Sequence, residues 1–213
     1  MSNTVTLIDY GLGNLLSVAR AFEHCGAKVV LSHDPSEIER AERLVLPGVG
    51  AFADGMHELR ERGLVDPIRR YAESDRPLLG ICLGMQMLVT TSEEFGEHKG
   101  LDLIPGRARA IPQMATNGVA LKIPHIGWSA LHRPEHADWQ GSLLVDTAPG
   151  SSVYLVHSFA VETDDQSHLL SYCNYGGHSI AATIQRGAVV GCQFHPEKSG
   201  PEGLRMLAAF MRS

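Results

Sequence analysis

The sequence has no block of basic residues. Lys and Arg number 18 against 24 Asp and Glu, a formal net charge of −6. The clusters "RRY" (69–71) and "RAR" (107–109) are too short to track a phosphate backbone, so nucleic acid is not an expected partner. Long apolar runs are missing too. The longest, "PLLGICLGMQMLV" (77–89), falls short of the ~20 residues a membrane helix needs. The opening "MSNTVTLIDY" lacks the basic and then apolar regions of a signal peptide. No membrane association is expected, and a cytoplasmic location is. The four cysteines, Cys25, Cys82, Cys173 and Cys192, lie far apart without a CxxC pair. That spacing suits a reducing compartment rather than a disulfide framework or a zinc site. The 11 histidines are scattered and form no HExxH or other ligand spacing, so no metal and no cofactor are expected.

What is present is ordinary for a globular chain: 213 residues, 44% hydrophobic and 20% charged. That length suits one domain over residues 1–213 with a full core. In the first half, apolar runs alternate with helical patterns. "VTLID" (5–9), "KVVLS" (28–32), "RLVLPGVG" (43–50) and "PLLGIC" (77–82) read as strands. Between them, 14–26 is a helix on the spacing of Leu15, Val18 and Phe22, closed by Gly26. The segment 35–43 is a short helix with Asp34 as its N-cap. The segment 53–75 is helical with a break near Gly63 and Pro67, and 83–95 is a helix. This alternation predicts an α/β fold with a central, mostly parallel sheet flanked by helices. From about residue 105 the pattern is β-rich: 106–112, 125–131, 152–161, 168–175, 179–185 and 188–194 read as strands that return to the same sheet. A last helix is expected over 201–212, with Leu204, Leu207, Ala208 and Met211 as its apolar stripe.

Two stretches carry chemistry. In "CQFHPEKSG" (192–200), His195 and Glu197 are two apart, so in an extended segment both point to one side and a carboxylate can hold the imidazole. "GICLG" (80–84) has the form G-x-nucleophile-x-G, the sharp strand-to-helix turn that lifts a nucleophile above a sheet edge. The turn places Cys82 at a helix N-terminus, where the dipole and free N–H groups favour an anion. The amide of Leu83 then points to where an oxyanion would form. A lone buried cysteine is usually core, and a lone surface histidine is usually solvated. Cys82 between two glycines and His195 beside Glu197 together outweigh those readings, since both are expected at the C-terminal edge of one sheet.

With "DYGLGN" (9–14), "PGVGAF" (47–52), "GICLGMQML" (80–88), "HIGW" (125–128), "VHSF" (156–159) and "FHPEKSG" (194–200), the chain resembles the triad, or class I, glutamine amidotransferases over nearly its whole length. Within them the closest resemblance is to the glutaminase subunits of imidazole glycerol phosphate synthase. The resemblance implies hydrolysis of glutamine to glutamate and ammonia by Cys82, His195 and Glu197, with an oxyanion hole from the amides of Leu83 and Val49. Gly48 and Gly50 flank that peptide and let it reorient. Gln86 and the segment His157, Ser158 and Phe159 resemble the region that holds the substrate's α-amino and carboxylate groups. The family often has tyrosine where this chain has Phe159. The implied partner is a cyclase subunit with a (β/α)8 barrel that receives the ammonia in a heterodimer, with Asn14, Trp128, Tyr154 and Lys198 on the docking face.

Four other readings are weaker. A different α/β cysteine hydrolase, or a chaperone-like relative, would share the elbow, but "HPE" near the C-terminal end argues against it. "DYGLGN" imitates half of a dinucleotide-binding fingerprint, but Leu16 stands where the third glycine belongs. A non-catalytic regulatory subunit would not need the complete triad. A paralogous glutaminase that feeds amidation of a surface-polysaccharide sugar would share triad, substrate and partner type, and no residue distinguishes it.

Overall fold

The computed structural model describes residues 3–213. Met1 and Ser2 of the expected domain lie outside the described residues. The chain opens with β1 (Thr4–Ile8), α1 (Leu15–His24), β2 (Lys28–Ser32), α2 (Pro35–Arg40) and β3 (Leu44–Gly48). It continues with α3 (Phe52–Glu61), α4 (Val65–Ala72), β4 (Leu78–Cys82) and α5 (Leu83–Met87). The later strands are β5 (Val89–Ser92), β6 (His98–Lys99), β7 (Ile104–Ala110), β8 (His125–Ala130), β9 (Ser152–His157), β10 (Phe159–Thr163), β11 (Leu169–Tyr175), β12 (His178–Arg186) and β13 (Val189–Cys192), and α6 (Gly200–Phe210) ends the chain.

A seven-stranded sheet runs in the order β11-β12-β13-β4-β3-β1-β2. The five strands from β13 to β2 are parallel, and β12 and β11 pair antiparallel at one edge. Strand side chains alternate between two cores. Val5, Leu7, Val45, Leu79 and Ile81 pack with α1 and α6 on one face. Ile8, Leu44, Leu46 and Leu78 pack with α2, α3 and α4 on the other. Burial on both faces explains why these strands read as continuous apolar runs. Asp34 caps α2, its carboxylate accepting from Ser36 N at 2.7 Å and Glu37 N at 3.3 Å. The expected α/β class therefore stands.

Several local expectations do not. The helix expected over 83–95 stops at Met87, and Val89–Ser92 is a strand. The β-branched Val89, Thr90 and Thr91 are stiff at χ1 and suit a pleated surface better than a helix. Pro67 breaks nothing, because it lies in the first turn of α4, where its missing N–H has no intrahelical partner to lose. The β-rich half returns only partly to the main sheet. β10, β7, β5 and β6 form a second sheet in that order, and β8 and β9 form a two-stranded ribbon. The single strand expected over 152–161 divides at Ser158, where the chain leaves the ribbon for the second sheet. The buried face of α6 is Gly203, Met206, Leu207, Ala209 and Phe210, while Leu204 and Ala208 of the expected stripe are only partly buried.

Candidate active site

β4 ends at Cys82 and α5 begins at Leu83 with no intervening loop. Such a turn leaves no room for side chains. A Cβ on Gly84 would overlap the carbonyl oxygen of Leu46, and one on Gly80 would come within 2.8 Å of the Gly84 backbone. Cys82 itself takes φ 56° and ψ −110°, a conformation rare for a residue with a side chain. Strained backbone of this kind persists where the surrounding packing holds it. Here the neighbouring strand also contributes, since Gly48 at the end of β3 is the register partner of Cys82. Gly48 has to be glycine because a Cβ there would strike the Tyr10 hydroxyl. That hydroxyl donates to Pro47 O at 2.8 Å. Burial, and then the charge of Cys82, push the Tyr10 phenol above its ordinary range.

The chain returns beside this turn through β13, which pairs with β4. His195 follows β13, and Pro196–Lys198 form one 3₁₀ turn. The His195–Glu197 pairing is therefore made by a turn and not by the alternation of an extended segment. Glu197 Oε1 accepts from His195 Nδ1 at 2.8 Å, and both side chains are almost fully buried. Burial alone would lower the His195 imidazole. Hydrogen bonds to Cys82 and Glu197, and their negative charges, outweigh it and raise the imidazole to about 9. Ser199 locks the turn, donating from Oγ to His195 O at 2.7 Å and accepting from Tyr154 N at 3.0 Å.

A cleft of about 320 Å³ opens over the sulfur, within the range of small-molecule sites. Val49, Gly50, Cys82, Leu83, Gln86, Glu94, His157, Ser158, Phe159 and His195 are among its lining. All the expected substrate and oxyanion positions except Gly48 thus share one cavity, and Gly48 lines a smaller recess that shares Val49 and His195 with it. The larger cavity of about 500 Å³, lined by Arg69, Glu73, Arg186 and Val189, sits at the opposite ends of the strands, away from Cys82. A small recess behind Val49 brings Asn14, Gly48, His195 and Glu197 together. Asn14 is also the N-cap of α1, its Oδ1 accepting from Ser17 N at 3.3 Å. Trp128 and Ile126 project from β8, 58% and 53% exposed. The Tyr154 ring meets Trp128 edge-on at 6.0 Å, and Lys198 is exposed.

Three features of the cleft escaped the sequence reading. Glu94 is buried, and its Oε2 accepts from Phe52 N at 2.6 Å. It caps the start of α3, where Ala51 supplies no side-chain cap. The second feature is a histidine chain. His157 Nδ1 donates to Phe159 O at 2.9 Å, so its Nε2 accepts from His125 Nδ1 at 3.2 Å, and His125 Nε2 accepts from Ser129 Oγ at 3.0 Å. Both rings are thereby neutral. Burial outweighs the Phe159 carbonyl and, helped by the charge of His195, lowers His157 to about 4. Burial lowers His125 as well. The third is Gln193, fully buried between Gln86 and Cys82.

A strained cysteine on a strand-to-helix turn, with a carboxylate-held imidazole beside it and a cleft above, is equipped for nucleophilic acyl transfer. The family model "Glutamine amidotransferase class-I" matches residues 6–213. The chain belongs to this family. As in other class-I glutamine amidotransferases, its chemistry is hydrolysis of glutamine by a cysteine. The chain is 48% identical over 211 residues to "Imidazole glycerol phosphate synthase subunit HisH 1" of Legionella pneumophila strain Paris, covering 99% of each chain. It is 47% identical over 208 residues to subunit HisH of Syntrophotalea carbinolica, covering 97% of this chain and 98% of that one. Among solved structures it is similar in fold to PurLQS of Thermotoga maritima, with a TM-score of 0.73, 17% identity and coverage of 100% and 98%. A crystal structure described as a glutamine amidotransferase gives a TM-score of 0.72 at 15% identity, covering 98% and 99%. Among the described residues no group of three or more His, Cys, Asp or Glu could hold a metal ion, and no helix is long and apolar enough to cross a membrane.

Proposed function

We propose that the chain is the glutaminase subunit of an imidazole glycerol phosphate synthase, hydrolysing glutamine and passing ammonia to a cyclase subunit in histidine biosynthesis. The observation that carries this reading is the Cys82–His195–Glu197 arrangement at the base of the cleft, in a chain 48% identical end to end to a subunit of that name. The relatives' names favour the histidine-pathway destination over the polysaccharide paralogue.

In this reading Cys82 Sγ attacks the side-chain carbonyl carbon of glutamine. Glu197 accepts the Nδ1 hydrogen of His195, so Nε2 faces the sulfur, takes its proton and delivers it to the departing ammonia. The oxyanion is met by the amides of Leu83, at the start of α5, and Val49, on the Gly48–Gly50 loop. Gly50 is left-handed (φ +103°), with no atom within 4 Å of where its Cβ would be, so this loop can turn without a clash. Water then hydrolyses the thioester, with His195 as base.

Substrate polarity follows from the lining. Gln86 Nε2 is committed to Phe159 O and Gln193 Oε1, both at 3.0 Å. Its Oε1 and the Glu94 carboxylate remain as acceptors for the substrate ammonium. The carbonyls of Ser158 and Phe159 are taken by Ile111 N and by Gln86 and His157, so their N–H groups are the proposed donors to the carboxylate, and Phe159 offers a ring edge-on to Phe95 at 6.4 Å rather than a hydroxyl. On the outside, Asn14 at the recess behind the triad, together with Trp128, Ile126, Tyr154 and Lys198, is proposed to meet a barrel-shaped cyclase. Exposed aromatics of this kind are the usual anchors of such contacts. The test is glutamate release from glutamine by the chain alone, with a histidine-pathway cyclase subunit, and with that subunit plus its nucleotide ligand. Strong stimulation by partner and ligand is expected. Equal rates in all three would refute the synthase reading.

A further inference from the structure

Gln193 is fully buried, two residues before His195, on the segment that leaves β13. A buried primary amide is costly unless its polar ends are satisfied, and an apolar side chain of similar size would fill the space at no such cost. The ends of this amide are used in a definite direction. Its Oε1 accepts from Gln86 Nε2 at 3.0 Å. That bond settles which end of the amide is which, because Gln86 Nε2 can only donate. The Nε2 of Gln193 is thereby turned to Cys82 Sγ, 3.8 Å away. Gln86 is fixed in turn by Phe159 O at 3.0 Å, and the backbone N–H of Gln193 is fixed by Ala182 O at 2.9 Å. The donor facing the sulfur is thus held through its own backbone and through Gln86.

We propose that Gln193 is a positioning residue for the nucleophile: its amide, oriented by Gln86, donates to the Cys82 sulfur, holds it as a thiolate and aims it into the cleft. The inference rests on the reading of Cys82 as the nucleophile. An N–H donor binds S⁻ more strongly than S–H or a thioester sulfur. The contact therefore favours the ion pair with His195 in the resting enzyme and lets go once the acyl group is transferred. It also gives the sulfur a second, neutral donor besides the imidazole, so the sulfur is held without adding charge to a buried site.

The test is the pH dependence of Cys82 alkylation by iodoacetamide, followed by peptide mass spectrometry, in wild type and Gln193→Met. Methionine keeps the length and bulk and has no donor. At pH 6.5 the variant should alkylate about tenfold more slowly, the worth of one weak charge-assisted hydrogen bond. At pH 9.5, where the thiolate no longer needs help, the two rates should agree within about twofold. Loss of packing alone would shift the melting temperature without this pH signature. If Gln193→Met does not fold, Gln193→Asn retains the amide but withdraws it from the sulfur, and the same low-pH deficit is expected. Superimposable profiles, with Cys82 still the residue whose alkylation abolishes glutamine hydrolysis in the complex with the cyclase, would overturn the role of Gln193 alone. Alkylation of Cys82 that leaves glutamine hydrolysis intact would instead overturn the nucleophile, and this inference with it.

Discussion

Replacing Glu197 with glutamine keeps the shape of the triad and removes its charge. Glu197 Oε1 accepts from His195 Nδ1 at 2.8 Å. Its other carboxylate oxygen is buried with no hydrogen-bond partner among the described residues. An amide therefore has two poor choices. If its oxygen keeps the His195 bond, its NH₂ is buried without an acceptor. If the amide turns over, the imidazole proton must move to Nε2, where it faces the sulfur it is meant to deprotonate. A hydrogen bond to a charged group is worth about 1.5–3 kcal/mol, or roughly one to two pH units. In the wild type, His195 keeps its proton up to about 9. The imidazolium is present below that pH and lost above it, so weakening its partner moves the loss to lower pH. For Glu197→Gln the basic limb of kcat/KM should fall to roughly pH 7–8, and kcat/KM at pH 8 should drop by at least about tenfold. Glutamate release in the presence of the cyclase, measured from pH 5 to 10, reads both. An unchanged basic limb with kcat/KM within twofold of wild type would refute this account of Glu197.

Other outcomes follow from the same geometry. Glu94→Gln should raise KM for glutamine by about tenfold or more with little change in kcat, because it weakens an ion pair that exists before and during reaction; an unchanged KM in steady-state kinetics would remove Glu94 from the substrate site. Gly84→Ala forces a methyl into the Leu46 carbonyl and should cost about 3 kcal/mol, seen as a drop in melting temperature of roughly 6–12 °C. His157 is held neutral, so its stabilisation is complete above the unfolded value near 6.5 and is lost as pH falls toward about 4. The gap is worth roughly 3 kcal/mol. Urea unfolding at pH 7, 5 and 4 should show that loss, and His157→Asn should show much less of it.

The parallel sheet was legible because strands buried on both faces carry uninterrupted apolar runs, and "LVLPG" and "LLGIC" have little else they can be. The elbow at Cys82 was legible because the tight turn demands glycines at 80 and 84. The pairing of His195 with Glu197 was also anticipated, although a 3₁₀ turn and not an extended strand makes it. What escaped was set by tertiary contact. Reading 83–95 as one helix hid Glu94, whose approach to Phe52 N depends on the chain changing to β5 after Met87. The β-branched "VTT" was the signal available for that change. His125 and His157 are 32 residues apart and meet only because β8 and β9 pair in register. For Gln193, no local pattern shows that its amide is held between Gln86 and Cys82.

The most direct test of the central claim compares wild type and Cys82→Ala in complex with the cyclase, supplying either glutamine or free ammonia and measuring cyclase product. Cys82→Ala should lose glutamine-dependent product while keeping ammonia-dependent product and an unchanged melting temperature. Continued use of glutamine by the variant would contradict the account.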